Sequence, residues 1–314
     1  MRRSRLSQLI ATGIVLGLTT LTGAWAAQQP ATPSETVPVS TVVTVEAKHG
    51  KEVPVLNKED VRVLQGRERL RVTDWIPLQG ENADLELLIL IDEGSRETLA
   101  LQYNDLRQFM NAQPSTTVIA VGYIEYGSVR MAQNFTKDRE ATDKALRITL
   151  GPGGDGGSPY LSIIDVIKHW PASNARHAIF MISSGIDPLQ PGTVDPYLDN
   201  AIEVVERTGT QISTIYAAQA GHFGHSFWRF SRGQDNLAEI AEDSGGESYF
   251  EGLNTPISFT PFLNEFADRL THQYRLTFQI KPDKKPSFQH VKLETEVPNA
   301  DLVSADRVYV PAAK

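Results

Sequence analysis

The sequence predicts an α/β protein: a doubly wound, mostly parallel sheet flanked by a small β domain built from its N- and C-terminal segments. Three observations carry this. Leu85-Glu86-Leu87-Leu88-Ile89-Leu90-Ile91-Asp92 is a short, nearly continuous aliphatic run, the pattern of a strand buried on both faces. From there to about residue 273, such runs alternate with amphipathic stretches of helical period, which is the βαβ pattern of a parallel sheet. On either side, at 41–80 and 274–314, the pattern returns to strict alternation with Gly and Pro turns, as in antiparallel strands with one wet face.

The chain has 314 residues, a net charge of -8 and no cysteine. Its length permits one large domain plus a small one. The negative balance argues against nucleic-acid partners, which need a basic face. Arg2, Arg3 and Arg5, the apolar Leu9 to Leu21 and the small-residue Ala24-Trp25-Ala26 read as a signal peptide over 1–26. The apolar stretch is too short to span a membrane comfortably, so no transmembrane segment is expected after cleavage. Lipid attachment at a signal-peptide cysteine is excluded, since there is no cysteine. The expected location is secreted or periplasmic.

Residues 27–40 are rich in Pro, Thr, Ser and Gln and are expected to be a disordered spacer. The β segment follows, with strands at 42–47, 52–56, 61–64 and 70–72. After the Leu85–Asp92 strand, Leu99, Tyr103, Leu106 and Met110 mark a helix face. Strands are expected at 116–124 and 129–133, the latter antiparallel, and a helix at 138–150. A Gly-rich loop at 151–159 leads to a helix ending before Pro171. Arg176 to Ser183 is a core strand. Asp195-Pro196 caps the next helix, with Pro at its first position, and that helix ends at Thr208-Gly209. Gln211 to Tyr216 is a strand. A loop is expected from Gln219 to Gly233, a helix from Asn236 to Asp243, a short strand at Tyr249-Phe250 and a helix from Pro261 to Gln273. Tyr274 to Ile280, with 291–297 and 307–310, would pair back with the first β segment.

The chain resembles the bacterial VWFA-related proteins, exported relatives of the von Willebrand factor A domain. The likeness rests on Asn57-Lys58-Glu59-Asp60-Val61, on Leu87 to Ser95, on Arg176-His177-Ala178-Ile179-Phe180-Met181-Ile182-Ser183-Ser184-Gly185, on Leu237 to Tyr249 with Gly245-Gly246, and on Tyr274 to Ile280. The resemblance implies a site for a divalent cation such as Mg²⁺, which takes octahedral oxygen ligands, held by a D-x-S-x-S loop, a Thr and a late Asp. Asp92 matches the leading Asp. Gly94 and Arg96 stand where the two Ser belong, Ser158 in place of the Thr, and Ser184 in place of the late Asp. One carboxylate and one or two hydroxyls remain, and Arg96 adds a permanent positive charge. Arg96 is expected either to pair with Asp92 or to point to solvent, and the metal site to be degenerate, with no cofactor bound. Glu93 or Asp155 replacing a lost ligand, with Mg²⁺ or Ca²⁺ retained, is the alternative.

Sheets of this kind place ligands beyond the carboxyl ends of their strands. The loop carrying Phe223, Phe227, Trp228, Arg229, Phe230 and Arg232 is expected there, and aromatic and Arg residues are enriched at interface hot spots. The expected function is a non-enzymatic, exported binding module for a protein or cell-envelope component. A Mg²⁺- or Ca²⁺-dependent adhesion domain is one alternative. A serine hydrolase pairing Ser184 or Ser158 with His222 or His225 is another, although no G-x-S-x-G is present. His222 and His225 lack a third ligand at a telling spacing; the acidic loop with Asp187, Asp195 and Asp199 makes calcium conceivable, but helix capping explains Asp195 without it; and Gly151, Gly153 and Gly156 follow a helix, not the strand a dinucleotide fingerprint requires.

Overall fold

A computed structural model describes residues 36–50, 52–154, 157–190, 194–220 and 227–312. The expected signal peptide therefore lies outside the described residues, as do His222, Phe223, His225 and Asp155.

The chain order is β1 (Val37–Ala47), β2 (Val61–Gln65), β3 (Glu68–Pro77), β4 (Leu85–Asp92), α1 (Tyr103–Ala112), β5 (Thr117–Glu125), β6 (Ser128–Thr136), α2 (Arg139–Ala145), α3 (Pro159–Lys168), β7 (Arg176–Ser183), α4 (Pro196–Thr208), β8 (Gln211–Tyr216), α5 (Phe227–Ser244), β9 (Ser248–Tyr249) and α6 (Thr260–Thr271). The closing strands are β10 (Gln273–Ile280), β11 (Ser287–His290), β12 (Lys292–Thr295), β13 (Ala300–Ser304) and β14 (Arg307–Val310).

The α/β part is a six-stranded sheet in the order β6-β5-β4-β7-β8-β9. All neighbours are parallel except the β5–β6 hairpin at one edge. The aliphatic run of β4 is central, and from Leu87 to Ile91 its side chains are wholly buried. Its alternate residues feed two cores. Leu85, Leu87, Ile89 and Ile91 pack with α1 and α6 residues such as Leu106, Met110, Phe266 and Leu270. Leu88 and Leu90 pack on the other face with Ile163, Ile202, Leu237 and Ile240. Helices cover both faces because both faces of every central strand are apolar, which is the physical content of a doubly wound sheet.

The second sheet runs β12-β2-β3-β10-β1-β13. Strand β10 lies between β3 and β1, antiparallel to both. The C-terminal segment thus completes the N-terminal one, and neither half has its neighbours without the other. Val43, Val63, Phe278 and Val310 form the core of this part. Arg269, buried on α6, ties the two sheets together: it donates to Glu46 of β1, to Glu247 and to the carbonyl of Gly246.

Five details depart from the sequence expectation. Arg307–Val310, expected to pair back with the first β segment, pairs with Ser287–His290 in a separate two-stranded sheet. The composition predicts a spacer to residue 40, but Val37 to Ser40 are already strand, paired with Ile280 to Thr277. The stretch 52–56 is not a strand; Pro54 cannot donate to a ladder, and the Leu56 carbonyl is spent on Trp75 Nε1 instead, at 3.0 Å. The helix expected to reach 150 stops at Ala145. The stretch expected as a loop up to Gly233 is helical from Phe227 onward, making α5 an 18-residue helix. The last two departures both shape the functional rim.

Candidate functional site

Asp92 closes β4 at the carboxyl edge of the parallel sheet. Its carboxylate is nearly fully buried, 3 % exposed. Oδ1 accepts the Gly94 N–H at 2.9 Å, and Oδ2 accepts the Ser183 hydroxyl at 2.7 Å. Ser183, the last residue of β7, also takes the Gly185 N–H on its oxygen. The expected partner at this position was Ser184. Successive residues of a strand point to opposite sides, so Ser184 turns away, 3.5 Å from Gln219 Oε1. Arg96 is bound on the rim: its Nε donates to the Gln219 carbonyl at 3.3 Å and its backbone N–H to the Ala218 carbonyl at 3.1 Å.

Glu93, offered by the sequence as a replacement ligand, is committed elsewhere. Its side chain is wholly buried. It accepts from both terminal nitrogens of Arg147, from Arg130 Nη2 at 3.1 Å and from the Leu150 N–H at 2.9 Å. Arg147 lies over the Tyr123 ring, 4.1 Å from its centroid. The hydroxyls of Tyr103 and Tyr123 both donate to the Arg147 carbonyl, and Tyr123 also accepts the Arg147 N–H at 2.7 Å. Burial pushes both phenols well above their ordinary range. This clamp explains why α2 ends early. Four groups of 147–150 bond to Glu93, just past β4, and to Tyr103 and Tyr123 of α1 and β5, and those bonds outweigh the few tenths of a kcal/mol per residue by which these side chains favour helix.

Ser158 caps α3, accepting the Leu161 N–H at 3.3 Å, and donates its hydroxyl to Asp187 Oδ2. Asp187 Oδ1 takes the Leu189 N–H at 2.8 Å. Asp195 caps α4 through the Tyr197 and Leu198 N–H groups, while its other oxygen is enclosed with no hydrogen-bond partner among the described residues. Both carboxyls are held above the usual carboxylate range, first by burial and, for Asp195, also by the charge of Asp187. Together with the first turns of α5 they line a crevice of about 20 Å³, with Trp228, Arg232 and Asn236 on its far wall. That is room for about one water.

A carboxylate whose folded pKa exceeds its unfolded one binds more protons when folded. Stability contributed by that group therefore falls as pH rises from the unfolded pKa through the folded one, and the deficit persists above it. Asp195→Asn keeps the cap and removes the charge. It is expected to raise Tm at pH 7, with the gain vanishing when the same comparison is made below pH ~4. Thermal melts at the two pH values decide it; a gain of equal size at both contradicts the assignment.

The residues singled out on the α5 stretch divide. Phe227 and Trp228 are exposed, 70 % and 52 %, with Arg232 5.6 Å from the Trp228 ring centroid. Arg229 is half-buried and lines the crevice. Phe230 packs inward on the second core, so it belongs to the fold and not to the contact surface. Helix α5 begins early because Gly233, which reads as a breaker, is where the helix touches the loop that leaves β7: a Cβ there would overlap the Ser184 carbonyl oxygen.

Sequence reasoning missed Ser183, Gln219 and Asp187 as rim partners. Alternation along β7 was available as a signal for Ser183. The long-range pairing of Ser158 with Asp187 had none. As a cation shell the rim fits poorly. Asp92 is the leading carboxylate, but both of its oxygens accept protein donors, Gly94 offers no side chain, Arg96 is cationic, and the Ser158 hydroxyl is donated to Asp187. Among the described residues no group of three or more His, Cys, Asp or Glu is arranged to hold a metal.

No protein-family model matches the chain, and no curated protein matches it. Solved structures do. A von Willebrand factor type A protein from Catenulispora acidiphila is 10 % identical, over 90 % of this chain and 76 % of its own, with a TM-score of 0.46. Von Willebrand factor A domains are among the solved structures to which this chain is similar. An aerotolerance-related membrane protein of Bacteroides fragilis, with several mutations to serine, is 12 % identical over 59 % of this chain and 98 % of its own, TM-score 0.41. The pilus adhesin SpaC of Lactobacillus rhamnosus GG is 8 % identical over 78 % of this chain and 47 % of its own, TM-score 0.44. At such identities the likeness concerns the fold alone. Among the described residues no helix is long and apolar enough to cross a membrane.

Proposed function

We propose that this chain is an exported, non-enzymatic binding module of the adhesion type, which recognises a protein or cell-envelope component through the rim at the carboxyl edge of its parallel sheet and works without a resident cation. One observation carries the reading. The Asp92 carboxylate, the residue that would anchor a metal, is built into the protein by the Gly94 N–H and the Ser183 hydroxyl, while beside it the start of α5 offers exposed Phe227 and Trp228. Donors already satisfied inside the fold cost free energy to redirect to an ion. Exposed aromatics backed by Arg are the residue types from which interface hot spots are made.

The absence of catalysis is supported by the serine environment. The Ser158 hydroxyl is held in the α3 cap by Asp187 and Ser184 faces the Gln219 amide oxygen; among the described residues neither meets the imidazole that the hydrolase alternative requires as its base. Export is supported by the basic and apolar N-terminal stretch.

Calorimetric titration with Mg²⁺, Mn²⁺ and Ca²⁺ is expected to show no saturable binding at micromolar concentrations, with the wild type and Asp92→Ala alike. Micromolar affinity abolished by Asp92→Ala would replace this reading with a cation-dependent adhesion domain whose shell is rebuilt around Asp92, Ser158 and Asp187. For the contact surface, Phe227→Ala/Trp228→Ala is expected to leave Tm within a few degrees, since both side chains are exposed. It should weaken binding to a partner recovered from envelope extract about 30-fold, the size of one hot spot of about 2 kcal/mol. Unchanged affinity would move the interface off α5.

A further inference from the structure

The opposite, amino-terminal edge of the parallel sheet carries a second opening. Leu78 and Ala83 of the β3–β4 connection, Leu85, Pro114, and Ala267 and Leu270 of α6 surround a cleft of about 350 Å³. That volume sits at the low end of small-molecule sites, roughly 300–1,000 Å³. Its walls are mainly aliphatic, and Arg176, the first residue of β7, lines it too.

The bonding of Arg176 is incomplete. Nη1 donates to the Leu270 carbonyl at 2.9 Å and to Gln273 Oε1, both neutral acceptors. Nε is enclosed with no partner, Nη2 has none either, and no Asp or Glu of the described residues pairs with the guanidinium. Thr116 Oγ1, on the same cleft, is likewise enclosed and unpartnered. Elsewhere among the described residues Glu93 has two arginines, Glu206 has Arg307 and Arg269 has Glu46, whereas Arg139, next to the same cleft, also meets only neutral groups, the Pro114 and Thr117 carbonyls. A cation taken out of water without a counter-charge is costly. Burial lowers the Arg176 guanidinium to about 10, so it remains charged at neutral pH.

We propose that this cleft binds a medium-chain monocarboxylic acid, its carboxylate on Arg176 and its chain along Leu78, Leu85 and Leu270. The guanidinium fork matches a carboxylate, the single charged side chain on the cleft wall, Arg176, calls for a monoanion, and the aliphatic walls suit a hydrocarbon chain. The site lies where α6 and the start of β10 join the two sheets, so occupancy would stiffen that junction. It is independent of the proposed function of the carboxyl rim.

The test is calorimetric titration of the full chain with decanoate, methyl decanoate and acetate. Decanoate is expected to saturate one site, with the ester at least tenfold weaker and acetate showing no heat. Ala267→Phe fills the cleft and is expected to weaken decanoate at least tenfold at unchanged circular dichroism. Ala83→Leu does the same from the connection between the sheets, should Ala267→Phe disturb α6. Arg176→Met, if folded, is expected to bind acid and ester alike. Equal binding of acid and ester to the wild type, no saturation by decanoate at millimolar concentration, or undiminished binding in the folded cleft-filling variants overturns the proposal.

Discussion

Glu93→Ala lowers the unfolding free energy by about 2–4 kcal/mol. The carboxylate is wholly buried and accepts from Arg147, Arg130 and the Leu150 N–H. Removing one partner of a buried ion pair ordinarily costs about 3–5 kcal/mol, because the other charge is left uncompensated. Here Arg130 and Arg147 are 47 % and 32 % exposed, so each can turn to water, and the expected loss lies at the lower end. What stays behind is a small void and an unmet Leu150 N–H. Glu93→Gln keeps the shape and should cost about half as much. Denaturant titration reads the difference through the midpoint. Because 147–150 is held out of helix by this clamp, Glu93→Ala should also coincide in effect with Arg147→Met: the double variant is expected to lose little more than either single one. Additive losses, or a Glu93→Ala change within ~0.5 kcal/mol, the range of unremarkable surface substitutions, would show that the clamp contributes nothing.

The second large effect is expected from Gly233→Ala. In an exposed helix interior this change gains up to ~1 kcal/mol from propensity. At this position the added Cβ would overlap the Ser184 carbonyl oxygen, and the facing Gly185, at φ +68, would meet the Gly233 carbonyl in the same way. The two glycines are one contact seen from both sides: they let helix α5 lie directly on the loop that leaves β7. Backbone atoms cannot rotate away as a side chain can, so the helix must shift, at a cost of about 1–3 kcal/mol or more. A net loss of stability is therefore expected where propensity predicts a gain. The shift also moves Trp228 and Arg232 away from Asp195, so the variant is expected to lose partner binding along with stability. Denaturation and binding measured on one preparation test both; a stabilised Gly233→Ala with intact binding would refute the close-packing account.

These two sites also mark the boundary of what could be read from residues alone. The class of fold was legible because it follows from period and composition. The β4 run has no polar residue between Leu87 and Ile91, and only a strand covered on both faces has use for that. The helix faces at Leu106 and Met110, or Leu237 and Ile240, repeat at 3.6. The return to alternation after residue 273 signalled that the last segment is β and belongs with the first. Its seat between β3 and β1 was not legible, since pairing order depends on which edges are free after the rest has folded. Neither was the end of α2. Local preference ran on to residue 150, and the tyrosine hydroxyls and Glu93 that draw 147–150 away come from other elements.

The sequence by itself determined the layered α/β architecture and which atoms the carboxyl rim can offer, because Gly94, Arg96 and Ser184 fix what side chains are present. Only the tertiary structure decided where the remaining groups are spent: Asp92 on Ser183, Glu93 on two arginines, Ser158 on Asp187, and Arg176 on neutral acceptors beside an aliphatic cleft. The physical reason is that apolar burial depends on spacing along the chain, whereas the pairing of buried polar groups depends on distances between residues far apart in it.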